Sequence, residues 1–480
     1  MEKTKFIRNN EDWWALWIGL FVFVVSLGVF AGLDLLGFGV ATRVWTNISK
    51  AMAAVSANYA KLPGFLALVC TFLFMLVIMT VGARALKFNT KEFAIGFTVI
   101  FWVSYLCWLV GNWAYIAATP NQLKAFNLTW ALGLTGEAGF IVALVVGLII
   151  GNFFPGVTAF LKEATRPEWY IKTAIVILGA MLGVQAAGAT GLAKAVMFRG
   201  FAAIVEAYLI YWALVYLVSR KVFKFSREWS APLASGISIC GVSAAIATGA
   251  AIKTRPVVPI MVSSLVVIFA VVELLFLPFL AETFLYHQPM VAGAWMGLAV
   301  KTDGAAVASG AITDALVRAK ALTATGVNYK EGWMLLTTTT VKLFIDIFIG
   351  IWAFVLALIW VYAIDKKPGQ KVSVGEIWER FPKFVIGYAV TFLVMLFLTL
   401  QAPGLISAAK LSTAESNIFR VLFFVMTFFT IGLVSNFRKL WEEGIGKLAL
   451  VYVISLFGFI IWIGLVISWI FFHGIMPPTA

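Results

Sequence analysis

Long uncharged hydrophobic runs, separated by short polar and basic segments, form the dominant pattern of this chain. About 20 apolar residues cross a bilayer as a helix, so runs of this length predict membrane spans. The pattern predicts an all-α polytopic membrane protein with 11 full transmembrane helices. Their predicted bounds are 13–33, 65–83, 94–118, 140–157, 169–187, 200–219, 256–280, 332–364, 384–402, 419–436 and 448–472.

Two further stretches, at 231–251 and 290–311, are apolar but are built almost entirely from small residues. Small residues let other backbones come close, and polar backbone is tolerated at membrane depth only when it is buried in protein or lines a cavity. We therefore expect two interrupted helices, either re-entrant or fully crossing, that meet to form a transport site. The alternative is two close-packed helices with a structural role only.

The order of these elements predicts two parts, an N-terminal membrane extension of three helices at 1–138 and a transporter core at 139–480. Elements of the core run in opposed directions, as in inverted-repeat transporters, whose substrate lies between interrupted helices. Within the core, Gly and Pro at 151–156 should stop or kink the fourth span. The long connection at 34–64 is expected to hold a surface helix. By position, and by analogy with transporters in which a core domain moves, the first three spans are candidates for a static scaffold or a homodimer face.

Composition supports this class of protein, with 62% hydrophobic residues, 12% charged residues and a mean hydropathy of +0.98. The formal charge of +14 would suggest nucleic acid in a soluble protein, but here the basic residues lie in loops between spans. There they set topology and contact lipid headgroups, so no nucleic-acid partner is expected. Their distribution predicts a cytoplasmic N-terminus and an external C-terminus.

Lys301 leads the candidate residues, because an ionisable group at membrane depth is costly and is a functional candidate by default. Its ammonium, with backbone N–H groups at 241–243 and 304–306, could bind an anion at half-helix N-termini. The alternative is that Lys301 pairs with Asp303 or another buried carboxylate and only locks the helix. The candidate substrate-binding residues are Ser238, Cys240, Gly241, Val242, Ser243, Lys301, Thr302, Gly304 and Ala305.

Acidic residues inside apolar segments are candidates for coupling transport to H⁺ or Na⁺. Lys342 and Asp346 are four residues apart and share a helix face, so they can also form a structural pair. Lone acids within spans, such as Glu273, could relay protons, or could snorkel or pair. The candidate ion-coupling residues are Asp303, Glu206, Lys342 and Asp346.

Sequence motifs typical of enzymes and of metal-binding proteins do not occur in the sequence. It contains no phosphate-binding loop, paired-His metal motif or nucleophile elbow, so we expect no enzyme activity and no cofactor. Cys70, Cys107 and Cys240 lie in apolar runs, and His287 and His473 are far apart, so no metal site is expected. Soluble loops are too short to fold an ATPase domain, which leaves an ion or substrate gradient as the energy source.

The segment from Ser238 to Ala245, SICGVSAA, closely resembles the signature of the bacterial sulfate exporter (YeiH-like) family. The segments at 147–152, 172–183, 297–310 and 431–440 also resemble features of that family and occur in the same order. The resemblance therefore covers about 139–472. It implies a fold similar to the cation/proton antiporter and anion transporter group, with two crossing interrupted helices and a moving core. It also implies export of sulfate, a sulfonate or an organic anion across the bacterial cytoplasmic membrane. Val300-Lys301-Thr302-Asp303 replaces the valine–histidine–glutamate run usual in that family.

Three functions remain open at this stage. The first is a secondary active exporter of a small anion, coupled to an ion and working by alternating access. The second is a Na⁺/H⁺-type antiporter on the same scaffold, in which Asp303 binds the cation and Lys301 competes as a counter-charge. The third is a membrane sensor or assembly subunit that transports nothing.

Overall fold

The computed structural model describes residues 10–255, 257–364, 375, 378, 381–435 and 446–480. Within this part of the chain, 10 helices are long and apolar enough to cross a membrane, and a bent helix pair makes up to 11. The predicted all-α polytopic fold is therefore confirmed, and the protein is a multi-pass membrane protein.

The helices follow the hydrophobic runs closely. In chain order they are α1 (Glu11–Ala31), α2 (Gly64–Ala85), α3 (Thr90–Gly111), α4 (Ala138–Phe153), α5 (Pro155–Leu161), α6 (Pro167–Ala187), α7 (Thr190–Val222), α8 (Arg227–Ser238), α9 (Val242–Ala251), α10 (Val257–Leu285), α11 (Pro289–Ala299), α12 (Asp303–Thr325), α13 (Trp333–Ile364), α14 (Lys383–Gln401), α15 (Ile406–Val434) and α16 (Gly446–Phe472).

The fourth predicted span is a bent pair, as Gly and Pro in the sequence indicated. Helix α4 ends at Phe153, α5 begins with Pro155, and their axes differ by 112°. Proline has no backbone N–H to continue the preceding helix and fits the first turn of a new one.

The prediction of a surface helix in the connection at 34–64 is wrong. This segment forms an antiparallel hairpin of β1 (Val40–Thr42) and β2 (Met52–Ala54), in which Val40 lies opposite Ala54. Single 3₁₀ turns follow each strand, at Ile48–Lys50 and Ala57–Tyr59. The side chains of Asn47 and Ser56 cap these turns, and such side-chain bonds to local backbone compete with helix formation.

The chain forms two compact units, and the first comprises the described residues of Met1–Thr190 and Lys383–Val434. Helix α15 packs on α4 and α6, and α6 packs on α14. Close approach depends on glycine, because a Cβ at Gly147 would collide with the carbonyl oxygen of Phe429 and one at Gly183 with that of Phe392. Small residues at helix contacts are a general feature of membrane helix packing.

The second unit comprises the described residues of Gly191–Pro382 and Ser435–Ala480, and it contains both small-residue stretches. Each stretch is an interrupted helix. Helices α8 and α9 are 12 and 10 residues long and flank a break at 239–241. Helices α11 and α12 are 11 and 23 residues long and flank a break at 300–302. Helix α13 packs on both α11 and α12. The predicted division into an extension at 1–138 and a core at 139–480 stays a prediction.

Replacing Gly147 with alanine should destabilise the first unit, because the added methyl group meets backbone that cannot move away alone. We expect a loss of about 1–3 kcal/mol in the free energy of unfolding, which is the usual cost of overpacking. Thermal unfolding of the purified protein in detergent measures it. Gly156→Ala is the matched control, since nothing lies within 4 Å of its added methyl group. Equal melting temperatures for the two variants would contradict the packing described here.

Candidate functional site

The two helix breaks of the second unit lie against each other. Gly241, the last residue of the first break, has φ +70° and ψ −109°, a conformation that glycine adopts without steric cost. A Cβ at this position would lie 3.1 Å from Thr302 Cγ2 and 3.3 Å from the carbonyl oxygen of Lys301. Glycine is therefore needed both for the turn and for the contact with the second break.

Lys342 of α13 joins the two breaks. Its ammonium donates hydrogen bonds to the carbonyl oxygens of Ile239, at 2.7 Å, and Lys301, at 3.3 Å. Only 1% of Lys342 is exposed. The C-terminal ends of helices carry partial negative charge on their carbonyl groups. The ammonium of Lys342 therefore stabilises the end of α8 and the non-helical backbone that follows α11. The same ammonium lies 3.8 Å from Asp303 Oδ1, so it forms a buried ion pair as well.

Three buried ligand groups gather beside this lysine. One ligand atom each from Cys240, Asp303 and Asp346 lies within 4.8 Å of the others. Carboxylate oxygens suit hard cations such as Na⁺, and the thiol adds a soft ligand. These residues therefore fit a proton or a small cation, although the sequence suggested no metal site. Tyr208 lies beside them and donates its hydroxyl hydrogen to the carbonyl oxygen of Ile345, at 2.6 Å.

The Lys301 side chain has protein partners of its own. Its ammonium donates a hydrogen bond to the carbonyl oxygen of Leu298, near the end of α11. It also lies 4.3 Å from the centroid of the Tyr211 ring, a cation–π contact. Glu206 interacts with both Tyr211 and Lys301, and it sits at the start of a π-helical turn (Glu206–Tyr211) within α7. Turns of this kind often mark functional sites.

Glu273 of α10 binds the second break directly. Its Oε2 accepts a hydrogen bond from the backbone N–H of Lys301, at 2.9 Å, and its Oε1 accepts one from the Tyr452 hydroxyl, at 3.0 Å. Glu273 is 2% exposed. The carboxyl group thus satisfies a backbone donor that the helix interruption leaves without a helical partner.

Among the residues that the structure describes, buried carboxyl groups outnumber buried ammonium groups around the breaks. Glu206, Glu273, Asp303 and Asp346 are each at most 5% exposed, and so are Lys301 and Lys342. Two carboxyls are therefore in excess. Burying net charge at membrane depth is costly, so protons or cations are needed to neutralise the surplus.

An apolar cavity of about 440 Å³ lies beside this cluster. Helices α10, α11 and α16 line it, and Phe276, Trp295, Phe457 and Trp462 contribute much of the wall. Glu273 is the one ionisable residue among the lining residues described. An apolar wall provides few donors for a hydrated anion, so this cavity does not resemble a sulfate site.

The structure brings most of the predicted site residues to one place, while their ligand roles stay predictions. Gly241, Lys301, Asp303, Lys342 and Asp346 lie at or beside the joined breaks. Ser238 ends α8, Val242 and Ser243 begin α9, and Gly304 and Ala305 lie in the first turn of α12. Thr302 has a clear structural role, since its hydroxyl oxygen accepts the N–H of Ala305, at 3.3 Å, and caps α12.

Sequence reasoning missed Tyr211 and Tyr452 and gave Glu273 no partner. Both tyrosines are fully buried and bond within the second unit, Tyr211 by donating to the carbonyl oxygen of Ile460, at 2.8 Å. Tyrosine in membrane helices is most common at the interfaces. Tyr211 lies near the middle of the span predicted at 200–219, and that position was the signal that could have identified it, whereas Tyr452 lies close to the start of the span predicted at 448–472 and carried no such signal.

Replacing Lys342 with methionine should destabilise the second unit. The carbonyl groups of both breaks lose a donor, and Asp303 loses a buried counter-charge, which together typically cost about 3–5 kcal/mol. Thermal unfolding in detergent measures the effect. Lys320→Met, at an exposed position of α12, is the control. A Lys342→Met variant as stable as this control would contradict the bridging role.

Comparison with known proteins shows which family the chain resembles. Residues 134–451 match the family described as Conserved hypothetical protein 698. The chain is 44% identical to a UPF0324 membrane protein of Nitrosomonas europaea over 479 residues, 98% of each chain. It is 30% identical to a UPF0324 membrane protein of Rhodopirellula baltica over 441 residues, 91% of this chain and 72% of that one. A protein of Archaeoglobus fulgidus is 49% identical over 165 residues, 30% of this chain and 88% of that one. The two UPF0324 names describe membrane proteins, and none of these names states a substrate.

Proposed function

This chain belongs to the conserved hypothetical protein 698 (UPF0324) family of membrane proteins, and on that premise we propose that it is a secondary active transporter of the cation/proton antiporter type. The joined helix breaks are its transport site, and a proton and a Na⁺ ion compete for that site. This is the second of the functions that the sequence left open.

The excess of buried carboxyl groups is the observation that carries this proposal. In the described part of the chain, four acids and two lysines surround the breaks, and each is at most 5% exposed. A low-dielectric site with surplus carboxylate attracts cations and protons and repels anions. Interrupted helices at such a site are typical of secondary transporters, in which substrate and coupling ions bind at the break.

Asp303 and Asp346 are the proposed binding groups, and Cys240 completes the cluster. The ammonium of Lys342, 3.8 Å from Asp303, is the competing charge in the empty state. When Na⁺ binds to the carboxylates, the site gives up the proton that it held. Because Lys342 also bonds the carbonyl oxygens of both breaks, ion binding acts on the same backbone that the transport cycle must rearrange.

Export of a small anion, such as sulfate, a sulfonate or a carboxylate, is the second candidate. The start of α9 favours it, since Gly241 at its N-cap has no side chain to cap the helix, and free N–H groups there would attract an anion. Two observations weigh against it. The Lys301 ammonium contacts Leu298 and Tyr211, and the N–H of Ala305 is bound by Thr302.

Ion-driven proton movement in proteoliposomes tests the proposed function. Wild-type protein, reconstituted with a trapped pH-sensitive dye, should change the internal pH when an outward Na⁺ gradient is imposed. Asp303→Asn and Asp346→Asn should each reduce the initial rate by about tenfold or more, because an amide cannot ionise to exchange a proton for a cation.

Glu331→Gln is the control for this experiment, since it removes an exposed acid of the second unit whose side chain is 79% exposed. It should transport like wild type. Absence of Na⁺-driven pH change in wild-type vesicles, or equal rates for wild type and Asp303→Asn, would contradict antiport at this site.

A thermal-shift panel separates the two candidates. Ligands that bind only the folded state raise the melting temperature, and the increase grows with ligand concentration above the dissociation constant. Na⁺ should stabilise wild type but not Asp303→Asn. Sulfate, sulfite, small sulfonates and carboxylates should have no effect that depends on Lys301. An anion that stabilises wild type and fails to stabilise Lys301→Ala would instead establish the anion candidate.

A further inference from the structure

We propose that Asp34 and Glu415 of the first unit form a proton-binding site that holds the hairpin segment at 33–62 against α15. One proton, taken from the solvent, is shared between the two carboxyl groups. Its return to the solvent leaves two facing carboxylates and releases the segment. This site is separate from the helix breaks and does not depend on the transport proposal.

Glu415 is the buried half of the pair. It lies on α15 and is 0% exposed, and neither of its carboxyl oxygens forms a well-aligned hydrogen bond within the described residues. The groups that act on it are the carboxyl group of Asp34 and the backbone N–H of Leu36. A buried carboxylate facing a second carboxylate cannot stay charged cheaply, so the arrangement requires a proton or a cation.

Asp34 is fixed in place by its own segment. Its Oδ2 accepts hydrogen bonds from Ser56 Oγ, at 2.5 Å, and Asn58 Nδ2, at 2.8 Å. Its backbone carbonyl oxygen accepts one from the Tyr59 hydroxyl, at 2.9 Å. With Oδ2 satisfied, Oδ1 is a buried oxygen without a hydrogen-bond partner. The hydrogen bonds join the start and end of the hairpin segment, so a proton at Asp34 acts on the whole segment.

Basic side chains do not neutralise the pair in the part of the chain that the structure describes. Arg166 pairs with Glu11, and Lys172 pairs with Asp12, so the charged groups of α1 and α6 bond to one another. Helix α4 carries no charged residue. The hairpin segment itself carries Arg43, Lys50 and Lys61, all exposed. The other charged groups on α15 and on the elements packed against it are Lys410, Arg420, Lys91, Glu92, Glu168 and Lys383, and the charged group that acts on Glu415 is Asp34 rather than any of these.

An aromatic contact shows which face of α15 the hairpin segment would leave on release. Phe38 of the hairpin segment packs edge-on against Phe419 of α15, with ring centroids 6.5 Å apart. Phe419 lies one helical turn beyond Glu415, so the apolar contact and the carboxyl pair occupy the same face of α15. Repulsion at the carboxyl pair therefore opposes the apolar contact directly.

Hydrogen exchange of the full-length protein in detergent tests this site. Between about pH 5 and about pH 8, the opening equilibrium of segment 33–62 should rise by about tenfold per pH unit and then level off, because opening releases one proton over this range. Glu415→Gln should remove this dependence, since an amide stays neutral and can donate to Asp34. Comparing the two proteins at the same pH cancels the intrinsic base catalysis of exchange. Asp34→Asn is a second variant, which should weaken this dependence without removing it, because burial still opposes ionisation of Glu415.

Glu282→Gln, which removes a partly exposed acid of α10, is the control and should keep the pH dependence of wild type. The proposal is overturned if wild type and Glu415→Gln show the same exchange in this segment at every pH. It is also overturned if added Na⁺ restores protection at alkaline pH, because the pair would then bind a metal cation rather than a proton.

Discussion

The second unit depends on hydrogen bonds from lysine ammonium groups to backbone carbonyl groups at its two helix breaks. An interrupted helix leaves backbone carbonyl groups without helical partners, and each costs several kcal/mol when it is unsatisfied at membrane depth. Lys342 bonds the carbonyl oxygens of Ile239 and Lys301, and Lys301 bonds that of Leu298. Without these donors, breaks at these two places would be too unfavourable to persist.

The need for those lysines explains the acids around them. A buried ammonium is itself costly, so carboxyl groups gather near it. Among the described residues these acids exceed the lysines by two, and we propose that this surplus makes the breaks a site that takes up protons or cations. Lys342 belongs to both parts, because it bonds the break carbonyls and pairs with Asp303. A change in the charge of Asp303 therefore alters the hydrogen bonds that Lys342 donates to both breaks.

Much of the fold was predictable from sequence, because a bilayer requires long apolar helices, and small residues mark where backbones meet. Hydrophobic runs gave the spans, and the small-residue stretches gave both interruptions within a few residues. The direction of side chains was not predictable. Lys342 reaches Ile239, which is 103 positions away in the sequence, and Glu273 meets Tyr452, which is 179 positions away. Asp34 and Glu415 were not candidates at all, since only folding of the hairpin segment brings them together.

Proton release on cation binding tests the central claim most directly. Purified protein in weakly buffered detergent would be titrated with Na⁺ while the pH of the solution is recorded. Competition at Asp303 and Asp346 predicts that wild type releases protons on saturation with Na⁺ and that the double variant Asp303→Asn/Asp346→Asn releases none. Saturable Na⁺ binding without proton release, or equal release by wild type and the double variant, would contradict a shared proton and cation site at the helix breaks.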